Sequence, residues 1–210
     1  PDVVVVATGG LPNVGTLEEG ADLVLSTWDV MERAPRSGRA VLVFDDHGGE
    51  QALSAAERLA VAGCAVEVVT PDRLVGADVT GTIYPDYLKA LYGHGVRFTP
   101  DHVLTAVRRA GDGRLVATVR NAFTDVPVER VVDDVLVEAG AVPVDDLYHG
   151  LRAASRNGGE TDPDALIGGR AQGVVRNPEG SYQLFRIGDA VAHRNIHAAI
   201  YDARRLALAL

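Results

Sequence analysis

Two short stretches have residue types suited to holding a nucleotide: Thr8-Gly9-Gly10 near the start of the chain and Gly188-Asp189-Ala190 near its end. Each follows a strand-like run, Val3 to Ala7 in the first case and Leu184 to Ile187 in the second. A carboxylate at a strand end can accept hydrogen bonds from ligand hydroxyls. A helix N-terminus just beyond it offers backbone N–H groups to an anionic pyrophosphate. Taken alone, Gly-Asp also serves ordinary turns and helix caps, so neither stretch is decisive by itself.

Other candidates are weaker. His193 and His197 have the i, i+4 spacing of paired metal ligands, but the residues between them are Arg-Asn-Ile, with no glutamate and no third ligand. They are read as hydrogen-bonding imidazoles, and no metal site is expected. The pairs Asp45/Asp46, Asp133/Asp134 and Asp145/Asp146 could suggest acid–base chemistry. Neighbours on a strand point to opposite faces, so turn and cap roles are expected instead. Ser26, Ser54, Ser155 and Ser181 lack a nucleophile elbow. No catalytic residue is expected in this chain.

The elements that would position these residues alternate strand and helix. Val3 to Ala7 reads as a strand broken at Thr8-Gly9-Gly10, and Asp22 to Leu25 as a second. Ser26 and Asp29 have the spacing of a cap pair for a helix over Trp28 to Ala34, ended by Pro35. Arg39 to Phe44, an amphipathic helix over Glu50 to Ala62, and a strand at Val66 to Thr70 form a βαβ unit, hence a parallel sheet. Pro85 to Tyr92 reads as a helix. Strands are expected at Val103 to Arg108, Leu115 to Val119 and Arg130 to Glu138, with a polar turn at Asn121 to Pro127, an antiparallel meander. Asp145 to Ala154 is helical by pattern, Asn157 to Asp164 a loop, Leu184 to Ile187 a strand, and Arg194 to Leu210 a long helix.

Composition agrees. The 210 residues are 47% hydrophobic and 5% aromatic with 23 glycines, which suits an α/β protein of many tight turns. The formal net charge of -9 argues against nucleic acid as a partner. The one cysteine, Cys64, rules out an internal disulfide and any cysteine-based zinc or iron–sulfur site within these residues. No apolar stretch is long enough to span a membrane and no secretory leader is visible, so a cytoplasmic location is expected. Opening on a strand, without a start methionine, suggests a segment taken from a longer polypeptide.

Three stretches in order carry a family resemblance: the strand ending Ala7-Thr8-Gly9-Gly10, the strand Val135 to Glu138 leading to Ala139-Gly140-Ala141-Val142-Pro143, and Phe185-Arg186-Ile187-Gly188-Asp189-Ala190. Together they resemble the two-dinucleotide-domain flavoproteins. In detail the chain is similar to the C-terminal region of the trimethylamine dehydrogenase, histamine dehydrogenase and 2,4-dienoyl-CoA reductase flavoenzymes. The stretches Val43 to Gly49, Leu147-Tyr148 with Leu151, and Ile187 to Arg194 carry that likeness. The ending Arg194 to Tyr201 looks similar to the N-methylproline demethylases.

The resemblance implies a flavin-dependent oxidoreductase fragment that lacks its catalytic barrel, with residues 1–37 and 135–210 in an FAD/ADP-type domain. Residues 38–134 would form an inserted, Rossmann-like NAD(P)-type domain. It implies FAD or ADP at Thr8, Gly9, Gly10, Gly188, Asp189 and Ala190, where Asp189 would take ribityl hydroxyls. FMN and a 4Fe-4S cluster would lie in the missing N-terminal part of the same chain. The implied enzyme is an amine dehydrogenase or demethylase, homo-oligomeric in full-length form and passing electrons to an electron-transferring flavoprotein. Two alternatives stand beside it: an NAD(P)H-dependent enoyl-CoA-type reductase region, and a structural scaffold that no longer binds nucleotide.

One departure from the family pattern matters. A nicotinamide site needs Gly-x-Gly-x-x-Gly, and the aligned positions here are Phe44, Asp45, Asp46, His47, Gly48 and Gly49. On this alignment Phe44 fills the tight turn and Asp46 stands where backbone must approach phosphate. The next strand ends at Thr70 rather than at an acidic residue for the ribose. The inserted domain is therefore expected to keep the fold without binding NAD(P)H.

Overall fold

A computed structural model of the chain describes residues 1–14 and 17–210. It is a mixed α/β structure in two compact units, Pro1–Leu11 with Ala141–Leu210, and Pro12–Gly140. The chain opens with β1 (Val3–Val6) and β2 (Gly10–Pro12) and then enters the second unit.

There, β3 (Leu25–Ser26) leads into α1 (Thr27–Glu32), and β4 (Ala40–Asp45) is followed by α2 (Glu50–Val61) and β5 (Ala65–Val69). Next come α3 (Tyr84–Gly93), β6 (Arg97–Thr99) and a meander of β7 (His102–Arg109), β8 (Leu115–Asn121) and β9 (Pro127–Val132). β10 (Asp134–Glu138) completes a five-stranded sheet of order β3-β10-β4-β5-β6, whose strand pairs run parallel. The meander is a separate antiparallel sheet.

The sheet is sandwiched because its strands are apolar on both faces. Val41, Val43, Val66, Val68 and Leu136 pack with Ala52, Leu53, Ala56 and Leu59 of α2 in one core. Leu42, Phe44, Val69, Val135 and Val137 meet Leu104, Val107, Ala117 and Val119 of the meander in another. The Ser26–Asp29 pair forms a reciprocal capping box at the start of α1, as its spacing predicts.

Several expectations are corrected. Asp22 to Leu25 is not a strand: Ala21–Leu23 make a 3-10 turn and only Leu25–Ser26 pair. The single strand expected over Arg130 to Glu138 is two, β9 and β10, in different sheets. Asp133 divides them, its carboxylate accepting the Ala40 N–H at 2.8 Å while its own N–H binds the Ala40 carbonyl at 2.8 Å. β6 had no signal of its own, since Arg97–Thr99 is too short to show alternation.

The compact units divide at residues 11/12 and 140/141. β10 lies between β3 and β4, so both β3 and β10 belong to the sheet of the Pro12–Gly140 unit.

In the other unit, β11 (Ala141–Pro143) pairs with β2. Then follow α4 (Asp146–Arg152), α5 (Pro163–Ile167), β12 (Gln183–Arg186), a 3-10 turn at Gly188–Ala190 and α6 (Ile196–Leu208). β12 lies parallel to β1 in a two-stranded sheet. Its small core is Val6, Tyr148, Leu184 and Ala190. Asn157 stitches it together: its side-chain amide donates to the Leu184 carbonyl and accepts the Leu184 N–H, each at 2.8 Å.

Candidate nucleotide-binding site

β1 and β12 run side by side in the register Val3↔Gln183 to Val6↔Arg186. Ile187 N–H donates to the Val6 carbonyl at 3.0 Å, after which both chains leave the sheet. Thr8-Gly9-Gly10 and Gly188-Asp189-Ala190 thus follow the C-terminal ends of two adjacent parallel strands. That edge is where ligands bind in open α/β sheets.

Local packing shows why glycine stands at two of these positions. A Cβ on Gly10 would lie 3.0 Å from both the Ala141 Cβ and the Val142 carbonyl oxygen, so β2 approaches β11 only without a side chain. Gly188 has φ +60°, and a Cβ there would come 3.3 Å from the Ala199 Cβ of α6. Gly9, at φ +74°, has open space where a side chain would stand. The Thr8 hydroxyl is tied down, donating to the Val144 carbonyl, and Val144 N–H returns to the Gly9 carbonyl at 3.0 Å.

Asp189 is one-third exposed. One carboxylate oxygen meets His193 Nδ1 at 3.2 Å and the other accepts the Arg194 N–H at 3.4 Å. A carboxylate has about four lone-pair sites, so acceptor capacity remains for a ligand. The long helix does not follow directly. It starts at Ile196, and the Asn195 side chain caps it by accepting the Ala198 N–H at 2.9 Å. The backbone beside Asp189 is instead the single 3-10 turn at Gly188–Ala190.

Sequence reading missed a supporting cluster. Arg186 Nη1 binds Asp145 Oδ2 at 2.5 Å and the Ala190 carbonyl at 3.3 Å, with its guanidinium 4.6 Å from the centre of the Tyr148 ring. Asp145 also holds His149 at 3.1 Å. Asp145 was expected in a turn or cap, yet it anchors the arginine that pins the 188–190 turn. Arg186, at the end of β12, falls within the run Leu184 to Ile187, which is otherwise apolar, the one trace of this role in the sequence.

In the Pro12–Gly140 unit the structure corrects the reading of the Phe44–Gly49 stretch. Phe44 is a buried residue of β4, not part of the turn, and Asp46 points outward, its N–H bonded to the Glu138 carbonyl at 2.8 Å. Asp45 is the residue that turns inward. It is fully buried, and its Oδ1 accepts the N–H of His47 at 3.2 Å and of Gly48 at 2.9 Å. Burial is the main force on its acidity and lifts the carboxyl to about 6, despite the opposing pull of those two N–H groups. Glu138 nearby is buried as well, bound by the Thr27 hydroxyl at 2.5 Å and the Gly140 N–H at 3.1 Å.

This arrangement of strands and turns is found in solved flavoprotein folds. The fold matches a thioredoxin reductase from T. acidophilum with TM-score 0.65 at 16% identity, over 99% of this chain and 64% of that one. It matches a 6-hydroxypseudooxynicotine amine oxidase from Pseudomonas geniculata N1 at TM-score 0.76 and 24% identity, over 99% of this chain and 29% of the other. Histamine dehydrogenase from Rhizobium sp. 4-9 follows at 0.74 and 22%, over 100% and 30%. The chain therefore has the α/β fold seen in these proteins.

Sequence comparison narrows the class. The chain is 48% identical over 206 residues to a probable N-methylproline demethylase of Rhizobium meliloti, covering 98% of this chain and 30% of that protein. It is 43% identical to an N,N-dimethylglycine/sarcosine dehydrogenase of Chromohalobacter salexigens, over 98% and 31%. A multifunctional alkene reductase/demethylase of Caballeronia cordobensis is 37% identical, over 100% and 31%. No protein-family model matches the chain. Residues 1–210 are thus related along nearly their whole length to part of these demethylases and dehydrogenases, and they span about a third of the length of the curated relatives they match. Among the described residues, no helix is long and apolar enough to cross a membrane.

Proposed function

We propose that residues 1–210 are the nucleotide-binding region of a cytoplasmic, flavin-dependent amine dehydrogenase or demethylase. In this reading, Thr8, Gly9, Gly10, Gly188, Asp189 and Ala190 hold FAD or ADP. The observation that carries it is the parallel pairing of β1 with β12, which releases both glycine turns from one sheet edge. The residues fit such a ligand: Gly9 leaves open space beside the backbone, and Asp189 is one-third exposed with acceptor capacity to spare. Bound there, a flavin or adenine dinucleotide would add an electron carrier or a structural anchor. The chain's own part is to present the two turns, the 188–190 turn held through Arg186 and the Thr8–Gly9 turn through Val144.

On this reading the Pro1–Leu11/Ala141–Leu210 unit belongs to an FAD/ADP-type domain, and the Pro12–Gly140 unit is the inserted nicotinamide-type domain. Two parallel strands do not make a stable sheet by themselves, so further strands of the same polypeptide complete it. The C-terminal placement of residues 1–210, after a segment bearing FMN and a 4Fe-4S cluster, is carried over from the family. So are amine substrates, a homo-oligomeric full-length protein and an electron-transferring flavoprotein as acceptor. The demethylase and the dimethylglycine/sarcosine dehydrogenase among the relatives support the amine class.

Extraction of nucleotides from the intact protein tests the reading. FAD or ADP should be recovered in about equimolar amount to this region, in addition to any FMN. Recovery of neither overturns it and leaves the structural scaffold. A second reading, an NAD(P)H-fed alkene or enoyl-thioester reductase, draws on the alkene reductase/demethylase relative. Saturable NADPH binding at micromolar concentration would favour it.

A further inference from the structure

The turn from β4 to α2 is built like an anion site whose anion comes from the chain itself. Successive backbone N–H groups converging on one point form a nest, the arrangement that grips phosphate oxygens in nucleotide-binding turns. Here the N–H groups of His47 and Gly48 converge on Asp45 Oδ1 at 3.2 and 2.9 Å. Gly48, at φ +73°, supplies the left-handed curl that aims its neighbours inward. Asp45 is 0% exposed, and its second oxygen, also buried, accepts no hydrogen bond among the described residues. This carboxylate sits at the C-terminal end of β4, where the parallel sheet would present its crevice. Further negative charge stands around it, with Glu138 and Asp72 close enough to disfavour ionisation of Asp45 and Glu50 in the first turn of α2.

We infer that Asp45 is the specificity-determining residue of this turn: its carboxylate fills the backbone nest that a cofactor phosphate would need, so the turn refuses NAD(H) and NADP(H). The inference rests on the nicotinamide-type reading of this unit given above. It goes further by assigning the exclusion to one side chain. The aligned sequence pointed to Phe44 and Asp46, but Phe44 lies in the strand core and Asp46 faces outward. Exclusion by Asp45 is occupancy first and repulsion second.

The test uses the intact protein, with inorganic pyrophosphate and NADPH as probes and tightly held nucleotide measured separately. Asp45→Gly empties the nest, whereas Asp45→Asn keeps the acceptor oxygen and removes only the charge. Asp45→Gly should bind both probes at least about tenfold more tightly than the native protein, and Asp45→Asn should gain little. A folded Asp45→Gly variant that gains nothing overturns the inference. So does a native protein that binds NADPH as well as the variant does. Should Asp45→Gly fail to fold, amide exchange of residues 46–50 in the native protein decides: pyrophosphate should leave it unchanged, and protection there contradicts the assignment. Absence of FAD and ADP would sink the earlier reading without altering these outcomes.

Discussion

The backbone N–H of Ile187 donates to the carbonyl of Val6 at 3.0 Å, and this bond is the last rung joining β12 to β1 before both chains turn away. It fixes the spacing of the two glycine turns at the C-terminal edge of the pair. Gly188 follows at once in the left-handed region, packed 3.3 Å (as a would-be Cβ) from Ala199. A side chain here meets backbone strain and a helix together. Gly188→Ala should cost about 1–2 kcal/mol of stability and Gly188→Val more. Both should weaken nucleotide retention; denaturant midpoints and bound nucleotide per chain check this.

Arg186 holds the 188–190 turn from behind through the Ala190 carbonyl and is itself held by Asp145 and the Tyr148 ring. Arg186→Met keeps the apolar stem and loses the charge. The pair is partly solvated, so the stability loss should stay near ~1 kcal/mol. Loss of the pin should instead show as faster amide exchange at 187–191 and weaker ADP binding, whereas unchanged exchange would refute the positioning role.

Asn157 is 1% exposed and bridges Leu184 on both its N–H and its carbonyl, with a third bond to the Glu160 carbonyl at 2.7 Å. Asn157→Ala leaves two buried backbone groups of Leu184 and the half-buried Glu160 carbonyl short of a partner and should cost about 2–4 kcal/mol. Asn177→Ala, on the exposed surface near Ala153, should cost under about 1 kcal/mol. Equal midpoints in urea for the two variants would contradict this.

Burial raises the Asp45 carboxyl from its ordinary 3.8 to about 6. Between those values the folded chain holds a proton that the unfolded chain has released. The stability this confers is full below pH 3.8 and is lost as pH rises through about 6. Native stability should therefore fall relative to Asp45→Asn by up to about 3 kcal/mol between pH 4 and pH 7. Parallel pH–stability curves for the two proteins would show that Asp45 does not titrate in this window.

The parts of the fold legible in the sequence are those with local causes. The Ser26–Asp29 box, the alanine-rich face of α2 and the Asn121 turn, whose side chain accepts from Phe123 and Thr124, all announce themselves within a few residues. Long-range pairing does not: β9 and β10 look like one strand until Asp133 meets Ala40, 93 residues away. The same holds for the site. Glycine and aspartate at strand ends flag the two turns, but the Arg186–Asp145 support and the inward carboxylate of Asp45 depend on contacts that no local pattern encodes. Alignment on the first strand put Phe44 at the tight turn because the sequence does not show that β4 runs on through Asp45.

Hydrogen–deuterium exchange of the nucleotide-stripped intact protein, with and without ADP, tests the shared edge most directly. ADP should slow exchange together in the peptides covering residues 7–11 and 187–191 and leave 44–49 untouched. Protection confined to 44–49, or to only one of the two glycine turns, would contradict the assignment.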